Sequence, residues 1–330
     1  MTLNFEKEKL ISELKKRKPK KVLVQLAEGI KQNAPEISGW IEETLPGVEC
    51  IFSGETCWGA CSVAVQEAQA LGVDLIVHFG HAQFIEVDFP VLYIEVQDVL
   101  DLNPILNKSL PHIKDYRRIG LSYSIQHRHD IENIKKFYED QGKQVTLSKK
   151  AGTNAYEGHI TGCEYRGLKA IQEEVDAFVI IGNQFHSMGA TLALRKPVIL
   201  IDVYNDDVRS MAGLREKILK QRLFSIEKFK EAKNIGIIVE VKPGQRFGNP
   251  RKLLEKLKNA GKTAIVITMS ELTPDKIMNF YNIGAFVELA CPRIALDDFA
   301  KYPKPILTML EALVGLGEKS WDDILENGIV

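Results

Sequence analysis

No apolar run in the 330-residue chain approaches the roughly 20 residues of a membrane span, so no membrane partner is expected. Charge of one sign is missing too. Lys and Arg number 43 against 44 Asp and Glu, a net charge of −1, which offers no global attraction to nucleic acid or to an acidic membrane. One local basic run, Lys15-Lys16-Arg17-Lys18-Pro19-Lys20-Lys21, reads as a solvated helix end and linker. The opening residues Met1 to Lys7 have no apolar h-region, and a cytoplasmic chain is expected. Cysteine is scarce and odd in number at five, which argues against a secreted disulfide framework. What remains is a globular composition, 45% hydrophobic and 26% charged, long enough for two or three small domains with buried cores.

Because thiols are few, their settings stand out. Ser53-Gly54-Glu55-Thr56-Cys57-Trp58-Gly59-Ala60-Cys61-Ser62 places two of them four residues apart in a loop that opens on Gly and closes on small residues. Cys163 lies in Thr161-Gly162-Cys163-Glu164, and Cys291 in Leu289-Ala290-Cys291-Pro292-Arg293. The three settings are roughly a hundred residues apart, about one small domain's length. Cys50 differs: it runs into Ile51-Phe52 and reads as a buried strand residue.

The chain repeats at the same interval. An amphipathic helix over Asn4 to Arg17 leads into a strand at Lys21 to Gly29, a helix around Ile37–Ile41, and a strand at Val48 to Phe52. Arg118 to Ser124, Ile131 to Gln141 and Lys143 to Ser148 repeat strand, helix and strand, as do Asn234 to Glu240, Pro250 to Asn259 and Gly261 to Ile267. The second halves correspond as well: Leu71 to Gly80, Glu174 to Gly182 and Asn282 to Ala290 each precede a Pro-led strand starting at Pro90, Pro197 or Pro305. Near-continuous apolar strands alternating with helices call for parallel sheets covered on both faces. The expected fold is α/β: three pseudo-repeated domains, each a small parallel sheet flanked by helices, at 1–110, 111–225 and 226–330, arranged around a central site. Ligands gather at the carboxyl ends of parallel strands, where Cys61, Cys163 and Cys291 all fall.

Three thiolates leave one corner of a metal site open for a substrate or cofactor, whereas four close it. Cys57 as a fourth ligand would give a closed, structural site. Cys57-x-x-x-Cys61 also matches the start of the usual radical S-adenosylmethionine triplet, but no Cys follows at Ser62 through Glu67. His78 and His81 bracket Phe79-Gly80 at a strand end, as contacts to a ligand or as satisfied structural histidines; His186 occupies the equivalent loop of the second unit. The Lys242 to Gly248 loop has glycines that permit close backbone approach. Arg293 is suited to a carboxylate by its bidentate fork, or to an ordinary ion pair.

Cys57-Trp58-Gly59-Ala60-Cys61, Val77-His78-Phe79-Gly80-His81, Ala290-Cys291-Pro292-Arg293 and Tyr302-Pro303-Lys304-Pro305 together resemble the archaeal diphthamide synthase family, from about Val22 to Glu311. The resemblance implies three similar α/β domains that each give one Cys to a 4Fe–4S cluster, in a homodimer. Cys61 and Cys291 carry over as ligands by their Gly-Ala-Cys and Ala-Cys-Pro-Arg settings, and Cys163 as the sole thiol of the middle domain. Gln245, Arg293, His78 and His81 are the corresponding candidates to contact S-adenosylmethionine. The implied reaction is one-electron cleavage between sulfur and the Cγ of the methionine part. The 3-amino-3-carboxypropyl radical then adds to C2 of a histidine on translation elongation factor 2, and methylthioadenosine is released. An electron donor is implied as a further partner. The rival enzyme is quinolinate synthase, which shares three repeated domains with one cluster Cys each; the rival of another class is a non-catalytic structural metal protein.

Overall fold

A computed structural model describes residues 2–297 and 299–329. A short ribbon pairs β1 (Thr2–Asn4) antiparallel with β6 (Gln97–Val99). The rest of the strands form three sheets. The first holds β2 (Lys21–Leu26), β3 (Glu49–Phe52), β4 (Leu75–Phe79) and β5 (Val91–Ile94) in the order β3-β2-β4-β5, all parallel. The second holds β7 (Arg118–Tyr123), β8 (Gln144–Leu147), β9 (Ala177–Gly182), β10 (Val198–Asp202) and β11 (Asp207–Ser210) in the order β11-β10-β9-β7-β8. The third holds β12 (Asn234–Glu240), β13 (Thr263–Met269), β14 (Ala285–Glu288) and β15 (Ile306–Leu307) in the order β13-β12-β14-β15. Each sheet therefore repeats one winding, in which the first strand lies between the second and the third and the fourth lies outside the third. The second sheet adds β11, which turns back antiparallel on β10.

Burial explains why the inner strands are apolar throughout. Successive side chains of a strand point to opposite faces, and both faces of each sheet are covered. In β9, Phe178 and Ile180 enter one core while Val179 and Ile181 enter the other. In β14, Ala285 and Val287 face one core and Phe286 the other. The Pro-led strand of the third unit is shorter than its sequence suggests. β15 stops at Leu307 because Thr308 caps the next helix: its hydroxyl accepts from the Glu311 N–H while the Glu311 carboxylate accepts from the Thr308 N–H.

The 20-residue helix Ala212–Glu231 runs from the second sheet to the third. Halfway along it, Arg222 is fully buried against Glu311, equally buried, with Nη2 at 2.7 Å from the carboxylate. Its remaining donors reach the Ala295 and Ile306 carbonyls at 2.7 and 2.6 Å. The end of the chain returns to the second unit. Ile324 and Ile329 join that unit's core, and the Ile329 N–H donates to the Leu192 carbonyl at 3.2 Å. Among the described residues, no helix is long and apolar enough to cross a membrane.

Candidate thiol site

Three loops at the carboxyl ends of parallel strands carry Cys61, Cys163 and Cys291, the first of them with Cys57 as well. Cys61 sits in a single helical turn, Ala60–Ser62, after β3; Cys163 follows β8 and precedes the short helix Arg166–Lys169; Cys291 follows β14 as the N-cap of helix Pro292–Leu296. All three are half-buried, and all five thiols of the chain are free. Contacts beside these loops tie the three units into a ring. The Gly244 N–H of the third unit donates to the Cys61 carbonyl at 2.8 Å, and Gln245 Nε2 donates to the Cys61 sulfur at 3.2 Å. Arg293 Nη1 donates to the Gly162 carbonyl, next to Cys163, at 3.1 Å. Gln126 Nε2 of the second unit donates to the Gly80 carbonyl of the first at 2.8 Å.

The thiols share an electrostatic environment. Burial pushes Cys163 up to about 12, with the neighbouring Cys61 adding to the rise. Burial raises Cys291 well above the thiol range, and Cys163, Glu288 and Cys61 push the same way. Cys61 is raised by burial and partly relieved by the Gln245 amide. Left alone, such thiols hold their protons; a bound cation supplies the charge that lets them ionise. Three thiols that act on one another, one of them accepting an amide N–H, suit an iron–sulfur cluster. Hydrogen bonds to cluster sulfurs are one of the ways a protein sets its potential. The donor set fits the cluster.

Of the other residues singled out by sequence, Gln245 belongs at this site through its bond to Cys61. Arg293 is almost fully buried and its fork is engaged: Nε donates to Asp297 at 2.9 Å, Nη1 reaches Tyr165 at 3.3 Å, and the Phe185 ring stacks 4.0 Å from the guanidinium. Its evident task is to hold the Cys163 loop against the Cys291 helix. His78 is fully buried and His81 half-buried, 3.0 Å apart between Nε2 and Nδ1. Cys57, fully buried, turns to this pair: its sulfur and a nitrogen of each ring lie within 4.8 Å of one another. His186 opens helix Gln184–Ala193, with Nδ1 2.9 Å from Asn183 Oδ1.

Several residues of the site region escape a reading of motifs. Glu240 and Glu288 end β12 and β14; burial raises Glu240 to about 7 and Glu288 well above the carboxylate range. A signal was present, since an acidic residue closing an apolar strand marks a strand end that faces a polar site. Tyr165 and Phe185 carried no such signal. At the ends of β7 and β9, the Ser124 hydroxyl, both His127 nitrogens and the Ser187 hydroxyl are buried without a hydrogen-bonding partner among the described residues. Orphaned polar groups of this kind are uncommon in a folded protein.

Two glycines make the loops possible. Gly162 has φ +79°, and a Cβ there would come within 2.3 Å of the Phe185 ring. At Gly244 a Cβ would stand 2.6 Å from the Cys61 Cα. Gly244→Ala must therefore separate the third-unit loop from Cys61. A loss of about 1–3 kcal/mol is expected from such overpacking, read as a lower urea midpoint at unchanged m-value.

Three like α/β units that each bring one thiol to a shared site define a class of three-unit thiol-site proteins. The chain matches the model of the diphthamide synthesis protein family over residues 26–325, and it belongs to that family. It is 32% identical to the 2-(3-amino-3-carboxypropyl)histidine synthase of Pyrococcus horikoshii, over 98% of this chain and 95% of the relative. Subunit 1 of the corresponding synthase of Gibberella zeae is 30% identical over 97% of this chain and 70% of its own. Among solved structures, Dph2 from Pyrococcus horikoshii with a 4Fe–4S cluster superposes with a TM-score of 0.88. That match covers 97% of this chain and 93% of the other at 30% identity.

Proposed function

We propose that this chain is a 2-(3-amino-3-carboxypropyl)histidine synthase. It transfers the 3-amino-3-carboxypropyl group of S-adenosylmethionine to C2 of a histidine on translation elongation factor 2, the first step of diphthamide biosynthesis, and releases methylthioadenosine. The observation that carries this reading is the convergence of one thiol from each of three like units, in a chain of the diphthamide synthesis family. The units are assigned as domains 1–110, 111–225 and 226–330, the end of the third packing on the core of the second. Cys61, Cys163 and Cys291 would hold the 4Fe–4S cluster. When bound, it supplies an electron, received from a separate donor protein, and an iron with an open position for the co-substrate.

The chain's own residues orient and shield. Gln245 steadies the Cys61 sulfur by its amide N–H. Arg293 fixes the Cys163 loop by its bond to the Gly162 carbonyl while Asp297 takes its charge, so it serves the co-substrate as a positioning residue. His78 and His81 meet each other beside Cys57, and are assigned to act on the co-substrate through the loop that carries Cys57 and Cys61. Ser124, His127 and Ser187 have polar atoms still in need of partners and are assigned to the polar parts of S-adenosylmethionine. A cleft between three units keeps water from a reactive intermediate. The enzyme is assigned as a homodimer.

The test is anaerobic incubation of the iron- and sulfide-reconstituted chain with dithionite, S-adenosylmethionine and elongation factor 2, followed by mass analysis of the factor. The proposal requires a gain of one aminocarboxypropyl group on a single histidine. An unmodified factor alongside an intact, reducible cluster would turn the assignment toward a condensing and dehydrating enzyme of the quinolinate synthase type.

A further inference from the structure

Beside the Cys61 loop, two histidines and a cysteine turn their ligating atoms toward one another. Gln25 is fixed in orientation by two main-chain bonds: its Nε2 donates to the Ser62 carbonyl at 2.8 Å, and its Oε1 accepts from the Ala64 N–H at 3.2 Å. The same oxygen lies 2.9 Å from His78 Nδ1, so Nδ1 must carry the proton and His78 Nε2 presents a bare lone pair. That lone pair faces His81 Nδ1 at 3.0 Å. The Cys57 sulfur stands beside this contact, and it and a nitrogen of each ring lie within 4.8 Å of one another.

We propose that Cys57 Sγ, His78 Nε2 and His81 Nδ1 form a second metal site, separate from the three-thiol site, that takes a divalent ion of the zinc class. The ligand chemistry favours that class: one thiolate and two imidazoles, with a fourth position left for water, suit zinc's tetrahedral preference. The surroundings are those of ligating histidines, which donate their second ring nitrogen to a carbonyl or carboxylate. Gln25 serves His78 in this way. Zinc–nitrogen bonds of about 2.0–2.1 Å require the two nitrogens to part only by a few tenths of an ångström. The rival occupant is a trapped proton, which full burial of His78 opposes. Cys57 and Cys61 share one loop, whereas His78 lies in β4, so the ion would fasten the Cys61 loop to the first sheet.

The probe is zinc itself. The chain is first reconstituted with iron and sulfide, cleared of free metal, given one equivalent of zinc, desalted, and analysed for both metals. One zinc per chain with iron content unchanged is expected. Cys57→Ala and His81→Ala should lose that zinc, and Gln25→Ala should weaken its binding about 10–100-fold. Cobalt in place of zinc should give a thiolate-to-cobalt charge-transfer band that is absent from Cys57→Ala. The Cys163→Ala/Cys291→Ala variant, which cannot assemble the proposed cluster, should keep its zinc, so failure of the cluster reading would not be mistaken for failure of this one. No zinc retained by the wild-type chain, zinc gained only as iron is lost, or retention undiminished in Cys57→Ala would each overturn the proposal. If Cys57→Ala does not fold, the wild-type stoichiometry and the cobalt band decide.

Discussion

Replacing any one of Cys61, Cys163 and Cys291 by Ala is expected to abolish stable cluster assembly and bring methylthioadenosine formation to background, while the fold survives. The two halves of this expectation have separate physical grounds. Each thiol comes from a different unit, and neither remaining cysteine is placed to substitute: Cys50 lies in β3, and Cys57, though in the Cys61 loop, faces the histidine pair. Loss of one sulfur therefore leaves an iron without a protein ligand, and nothing nearby replaces it. The thiols are half-buried at a loop surface rather than in a core, so their removal creates little cavity and should cost less than about 1.5 kcal/mol. Iron and sulfide analysis with urea unfolding on the same samples measures both effects. Cys50→Ala is the control and should retain the full complement of iron. Full iron in Cys163→Ala would remove the middle unit from the site and contradict the account.

The second large effect concerns the joint between the second and third units. Glu311→Ala is expected to destabilise the chain by about 3–5 kcal/mol, since it leaves the Arg222 guanidinium buried without its counter-charge. The same substitution removes the carboxylate that accepts from the Thr308 N–H at 2.8 Å, and so also weakens the helix that ends β15. Arg222→Met combined with Glu311→Leu should recover much of the loss, because an apolar pair of similar volume avoids the uncompensated charge. Urea unfolding at constant m-value distinguishes these outcomes. An effect of Glu311→Ala below about 1 kcal/mol would mean that the pair is not buried as described.

The repeat was legible because parallel strands buried on both faces must be apolar at every position. Phe178 to Ile181 and Phe286 to Val287 carry that pattern openly. Glycine-rich loops at the strand ends marked the thiols for the same reason, since a backbone that approaches a neighbouring loop as closely as Gly244 approaches Cys61 tolerates no side chain. What sequence did not disclose is partnership across units. Arg293 advertises a carboxylate-binding fork, yet the fold directs it to Asp297 and the Gly162 carbonyl, 131 residues away in the chain. Helix Ala212–Glu231 carries no clear amphipathic stripe because it packs between units, with Arg222 in the interior. Cys57 followed the same rule: its four-residue spacing from Cys61 left a fourth-ligand role open as an alternative, and the loop between them turns its sulfur toward the histidine pair.

The most direct test of the central claim is the nucleoside left when the reduced, cluster-loaded chain meets S-adenosylmethionine without oxygen. Cleavage at the methionine side of the sulfonium yields methylthioadenosine, and the account predicts that product, dependent on all three of Cys61, Cys163 and Cys291. 5′-Deoxyadenosine in its place would contradict the account, because it would mean that the three-thiol site directs the electron to the opposite bond.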